Sequence, residues 1–318
     1  MSLVCACHDD RDRGTFPGIT IDEEPRSDVE SDGDEADTAD AGSSEVDRVP
    51  AGEAFGDGGS GNDGEVRVHR VESRDQIPPG PVARARVGDV ILENARARFF
   101  IAQDDASISP CPYGGNPVDA QYKRPDGEAT PDILGEICPM LNIGHSMRPT
   151  AVEVLKDGSE SGIGVVAVTG KAALLDFLNL RAMVPVRLRP ALDRVPFDFG
   201  ETPPLTMTVY YVLRPGATHL RVVTALRNDG DEEVHALFGH AVKSGGDGPG
   251  GFGYKSLSID NVDGRPLPFL GYRGENASYG YVPDPSPRLS ASLPTGGTYI
   301  TISGVGVSML GPAELSDV

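Results

Sequence analysis

The side chains best suited to acid–base chemistry in this sequence are His145, in "LNIGHSMRPT", and His240, in "VHALFGHAVKSGGDG". An imidazole beside a carboxylate can take and return a proton near neutral pH. His240 is followed across a Gly-rich stretch by Asp247, and His145 has Glu136, Asn142 and Arg148 close by in the chain. His235 precedes His240 by five positions, which places the two on opposite faces of a strand. The pattern predicts a cleft built from His145, His240 and one carboxylate, with Asp247, Asp119 or Glu136 as the partner. The plainer reading of each histidine is a surface or satisfied polar position.

A second candidate is the stretch "CPYGGNPVDAQYKR", residues 111–124. Gly114 and Gly115 permit close backbone approach. Tyr113 and Tyr122 offer flat faces with polar rims, and Asn116 and Asp119 supply hydrogen-bonding groups, the mixture that a sugar-contacting loop uses. Against this, the stretch also reads as a turn-rich loop pinned by Cys111, and the sequence has no Trp. Cys111 and Cys138 lie 27 positions apart, each followed by proline. They read equally as a disulfide, if the protein is exported, or as two buried thiols. Neither CxxC nor HxxxH accompanies them, so no metal site is expected. The sequence has no G-x-S-x-G elbow, P-loop, dinucleotide fingerprint or HExxH, and no cofactor is expected.

Charge narrows the partners. The formal net charge is -20, yet residues 1–64 hold 18 Asp/Glu against 4 Arg, and the rest is close to balanced. No basic run exists to neutralise phosphates, which excludes a nucleic-acid partner. The acidic head cannot bury enough apolar surface to offset its ordering cost, so residues 1–80 read as a disordered acidic leader. "DGDEADTADAG" lacks the Gly and distal Glu of a calcium loop. "GEVRVHRVES" could form an isolated strand within this leader. No stretch approaches the ~20 apolar residues of a membrane span. At the start, Val4, Ala6 and Cys7 loosely fit a lipoprotein signal with Cys7 as the lipidated residue, although no charged and apolar leader precedes them. The expected address is the extracytoplasmic cell envelope, with membrane contact only through that lipid. If Met1 is the true start, the alternative is cytoplasmic.

Positioning these residues falls to short alternating strands. In "ENARARFFIAQ", Ala95, Ala97, Phe99 and Ile101 share a face, with Arg96 and Arg98 opposite. "AVEVLKDGSESGIGVVAVTG" reads as strand, turn, strand. In "LTMTVYYVLRPGATHLRVVTALR", Leu205, Met207, Val209, Tyr211 and Leu213 face the same way. Leu220, Val222, Thr224 and Leu226 do so after a Pro-Gly turn, which makes a hairpin. Further strands fall at "HALFGHAV", "KSLSIDNV", "LPFLGYR", "NASYGYV" and "TYITISGVGVSML". "KAALLDFLNLRAMV" is compatible with a short helix or a buried strand. With 40 Gly, 27 Pro and many short strands, the fold class is all-β.

"VILENARARFFI", "VYYVLRPGATHLRVVTALRNDGDEEV", "FLGYRGENASYGYVPD" and "GVGVSMLGP" resemble segments of galactose-mutarotase-like β-supersandwich domains of large, myxobacterial-type envelope proteins. In those proteins the domain often precedes sandwich repeats or PHP-type metallohydrolase modules. The resemblance spans roughly residues 85–312 and is one of strand texture. It implies a large two-sheet antiparallel β-supersandwich over residues 81–318, behind the acidic leader. Function is expected to be a non-catalytic envelope-associated module for interaction or scaffolding, with polysaccharide or other envelope components as partners. One alternative is a mutarotase- or lyase-like carbohydrate enzyme using a His/carboxylate pair. Another is the front part of a larger metallohydrolase.

Overall fold

Alternation of apolar and polar side chains produces strands wherever it is strict. The structure, a computed structural model, describes residues 2–6, 65–80, 82–103, 105, 111–125, 127–132, 134–142, 144–175 and 201–244, and beyond them the strands named below. It is all-β, with every strand pair antiparallel and no α-helix among the described residues.

The smaller sheet contains β2 (Arg67–Arg70), β3 (Val90–Glu93), β4 (Ala97–Ile101) and β5 (Pro117–Tyr122), in that order. The central run of the larger sheet is β6 (Leu134–Leu141), β7 (His145–Asp157), β8 (Gly164–Leu174), β9 (Leu205–Leu213) and β10 (His219–Asn228). Beyond β6 come β11 (Val234–Ser244), β16 (Thr298–Met309) and β15 (Leu289–Thr295). Beyond β10 come β1 (Ser2–Ala6), β14 (Ser278–Val282), β13 (Leu270–Arg273) and β12 (Gly250–Gly253), while β17 (Glu314–Leu315) also pairs with β10.

The two sheets share one core. Val90, Leu92, Ala97, Phe99, Ile101 and Ala120 of the smaller sheet pack with Leu141, Met147, Val168, Met207, Tyr211 and Phe238 of the larger. Each such side chain stabilises the fold by roughly 1.5–3 kcal/mol when fully buried. β9 and β10 form the expected hairpin, with Val209 opposite Thr224 and Met207 opposite Leu226. Asn94 ties this hairpin to the smaller sheet. Its amide donates to the carbonyls of Arg214 and Ala217 at 2.8 and 2.9 Å, and its carbonyl accepts from the N–H groups of Arg96 and Ala97.

Three expectations change. The body begins earlier than residue 81: β2 pairs with β3, and Val66 and Val68 enter the shared core. A single short strand inside an acidic stretch looked isolated only because its partner lies some twenty residues on. Second, β4 is buried on both faces. Phe100, on the side assigned to Arg96 and Arg98, packs with Ile91, Val118, Val71 and Ala85 under the 71–87 segment. Third, the Lys171–Leu174 part of "KAALLDFLNLRAMV" is strand, the end of β8. Residues 176–200 and "KSLSIDNV" lie outside the described residues.

Candidate functional site

The described candidate residues are spread over β5, β6, β7, β11 and the stretch before β5. Asp119 belongs to β5, opposite Phe100, so the second half of the presumed binding loop is strand. Its side chain is fully buried and accepts from the backbone N–H of Arg84 at 2.8 and 3.0 Å and of Ala85 at 2.8 Å. Next to it, Asp132 is also fully buried, accepting through Oδ1 from the N–H groups of Ala120 and Leu134. Its Oδ2 has no hydrogen-bond partner. Glu136 on β6 is fully buried too, and Arg84 reaches its Oε2 at 3.3 Å.

Burial raises the pKa of Asp119 to about 6, against the pull of the Ala85 and Arg84 N–H groups, and the charge of Asp89 adds to the rise. Burial, and then the neighbouring Asp119, raise Asp132 well above the usual carboxylate range. Each of the two buried carboxyls thus disfavours ionisation of the other. Perturbed carboxyls often mark catalytic sites, but here each bonds to the backbone of its own chain. They lie beneath the strap of residues 82–85 rather than in an open cleft. Asp132 and Arg84 were absent from the sequence expectation; no local pattern around "TPDIL" distinguishes a buried aspartate from a turn.

The histidines do not join this cluster into a cleft. His145 on β7 is fully buried, level with Leu141 and thus with Phe238. His240 on β11 is level with Pro139. Their backbones are two strands and one two-residue step apart, about 12 Å at ~4.8 Å between strands and ~3.3 Å per residue. His240 is buried against the edge of Phe238, with Nδ1 3.3 Å from the Tyr281 hydroxyl and no hydrogen-bond partner for Nε2. Burial lowers its pKa to about 3, so it is a neutral ring at physiological pH. His235 is exposed on the opposite face, as the spacing of five requires. Asp247 lies outside the described residues. Asn142, the non-glycine residue with φ +49°, makes the turn after β6, and its amide oxygen accepts from Leu237 N–H at 2.8 Å.

The proposed sugar platform is likewise occupied by its own chain. The Tyr113 hydroxyl donates to the carbonyl of Leu174 at 2.7 Å, and the Arg148 guanidinium lies 5.4 Å from its ring centre. Asn116 is buried, with its amide donating to Tyr113 O at 2.8 Å. Gly115 does allow a close approach, but to Val168: at φ +79° a Cβ would come within 2.5 Å of that side chain. Tyr122 is half-buried at the end of β5. Cys111 and Cys138 are bonded to each other, with Cα atoms 5.9 Å apart, inside a small apolar cluster with Met140, Leu175 and Ala241. Among the described residues no group of His, Cys, Asp and Glu has the geometry to hold a metal ion.

A second charged group also escaped the sequence reading. Glu93 meets His69 at 3.1 Å, Arg98 at 2.8 Å and Lys123 at 2.7 Å, joining β2, β3, β4 and the end of β5. Burial opposes its ionisation, but Lys123, Arg98 and His69 together hold its pKa at about 2.

The open concavities have other linings. A hollow of about 640 Å³ lies between Arg74, Ile77, Pro78, Ala85, Arg86 and Val87. Another, of about 470 Å³, lies along the turn of β7 and β8, from Val154 to Ser161. Cys7 is outside the described residues, but β1 immediately before it pairs on both edges, with β10 and β14. Cleavage before Cys7 would remove that strand. Among the described residues no helix is long and apolar enough to cross a membrane. Comparison of the sequence with protein-family models and with curated proteins gives no match to either.

Proposed function

We propose that the protein is a non-catalytic, envelope-associated β-sandwich module for interaction or scaffolding, with polysaccharide as its contact. One observation carries this reading: the side chains fit for acid–base work are buried inside the fold, away from the open hollows. Asp119 holds the 84–85 backbone, His240 meets Tyr281, and the hydroxyl and ring of Tyr113 are engaged by Leu174 and Arg148. The exported address is supported by the Cys111–Cys138 bond, since such bonds persist in oxidising compartments. The resemblance to mutarotase-like supersandwich domains supports the same kind of frame.

The hollow at residues 74–87 is the contact surface that fits best. Arg74 and Arg86 are exposed on its rim, and Ile77, Pro78 and Ala85 supply apolar floor. Guanidinium groups beside an apolar floor suit an acidic sugar, charge to carboxylate and floor to C–H face. Affinity electrophoresis through gels containing acidic or neutral polysaccharide tests this. Retardation by the acidic polymer, lost in the Arg74→Glu/Arg86→Glu variant, supports the reading. Equal mobility of wild type in all gels defeats it. The carbohydrate-enzyme alternative has one observation in its favour, the raised Asp119 and Asp132 carboxyls. Polarimetric mutarotation by purified protein, abolished in Asp119→Asn, would replace the present reading with that one.

A further inference from the structure

The N-terminal strand holds an unusual place. β1 lies inside the larger sheet, between β10 and β14, and it is the strand that joins them. Ser2, Leu3 and Val4 pair with Arg221, Leu220 and His219, while Ser2–Ala6 pair with Val282–Ser278. On its other side β14 pairs with β13, so the β12–β13–β14 hairpin set reaches β10 through β1. The edge of β10 is shared by two segments from opposite ends of the sequence: β1 at His219–Arg221 and β17 at Leu226–Arg227. In sequence β1 lies far from its nearest neighbour in the body. The next strand of the body, β2, starts at Arg67, so 60 residues, 7–66, separate the two in the sequence.

We propose that β1 is an exchangeable strand, and that the slot between β10 and β14 accepts the β1 of a second copy of this chain. An exchanged strand makes the same backbone pairings with β10 and β14 as the resident one, so the closed and exchanged forms differ only in which chain supplies it. The balance is then set by protein concentration against the effective concentration of a copy's own β1 at its own slot. That effective concentration falls as the connection lengthens, and here the connection is 60 residues long. Exchange in both directions gives a closed two-fold dimer. Exchange in one direction leaves a slot open and builds chains.

A crosslink distinguishes the closed and exchanged forms. Ser2 and Val282 are opposite each other, and Val282 is exposed. The Ser2→Cys/Val282→Cys variant, made in a Cys5→Ala/Cys7→Ala background with Cys111 and Cys138 retained, is oxidised across a concentration series and run on a non-reducing gel. A covalent dimer whose share rises with concentration supports exchange. An internally linked monomer at every concentration overturns it, and so does the absence of any link between the two positions. As an independent arm, a chain lacking residues 1–6 is mixed with the full chain and analysed by native mass spectrometry. A mixed dimer supports the proposal; separate species at all mixing ratios count against it.

Discussion

At the scale of single residues, Asp119 and His240 act on stability with opposite sign. The pKa of Asp119 is raised from 3.8 to about 6 by burial, so its contribution is full below 3.8 and lost as pH rises through 6. That of His240 is lowered from 6.5 to about 3, also by burial, so its contribution is full above 6.5 and lost as pH falls toward 3. Between these limits the two effects oppose each other and flatten the profile. Urea midpoints measured from mildly acid to neutral pH separate them. In Asp119→Asn the loss of stability on raising pH through 6 should shrink, burial still raising Asp132, and in His240→Gln the loss on the acid side should shrink. Profiles parallel to wild type in both variants would contradict the assignment. Asp119→Ala is a harsher change, because it strands the Arg84 and Ala85 N–H groups, and should cost about 3 kcal/mol at neutral pH. Nothing in "NPVDAQY" distinguishes a carboxylate that anchors a strap from one that reaches solvent. The aspartate reads as a binding group because the contacts that bury it come from residues 84 and 132.

Individual elements show how far local pattern reaches. β9 and β10 are legible because strict alternation fixes the buried face and a Pro-Gly turn fixes the register. β4 is legible on one face only: alternation reports Phe99 and Ile101, whereas the cover over Phe100 comes from residues 71–85. The β7–β8 hairpin is legible, but its packing is not. Gly158, in its turn, has φ +98° and faces the Val66 carbonyl, where a Cβ would collide with backbone. Gly158→Ala combines a left-handed backbone with that collision and should cost about 3 kcal/mol or more. A drop in denaturation midpoint no larger than that of an open-turn control, Gly127→Ala, would show that Val66 does not lie against the turn. The Cys111–Cys138 bond closes a 27-residue loop between the β4–β5 connection and β6, and by chain-entropy arguments contributes about 3–4 kcal/mol. Denaturation of Cys111→Ala/Cys138→Ala beside wild type measures it. A change below about 1 kcal/mol would mean that the surrounding cluster, with Met140 and Leu175, holds the loop without the bond.

Over the whole molecule, β1 decides whether the larger sheet is one piece. Pairing of Ser2–Ala6 with strands more than two hundred positions away is invisible in "SLVCA", which has no alternation to assign a face and no turn to assign a partner. That is why the same residues read as the end of a signal. The two roles exclude each other within one molecule, since lipidation at Cys7 follows removal of everything before it. Deleting residues 1–6 should therefore open the sheet at one place. Amide protection should fall at 219–221 and 278–282, which pair with β1, and hold where β8 and β9 pair, Gly164–Lys171 with Thr206–Leu213. Tyr281 should also loosen from His240, whose pKa should climb from about 3 toward 6.5 as water reaches the ring. Hydrogen exchange and histidine titration read these two effects separately. Unchanged protection at 278–282 together with a still-neutral His240 would mean that β13 and the tyrosines hold β14 without β1. The chain could then lose its first residues to an anchor without losing its fold.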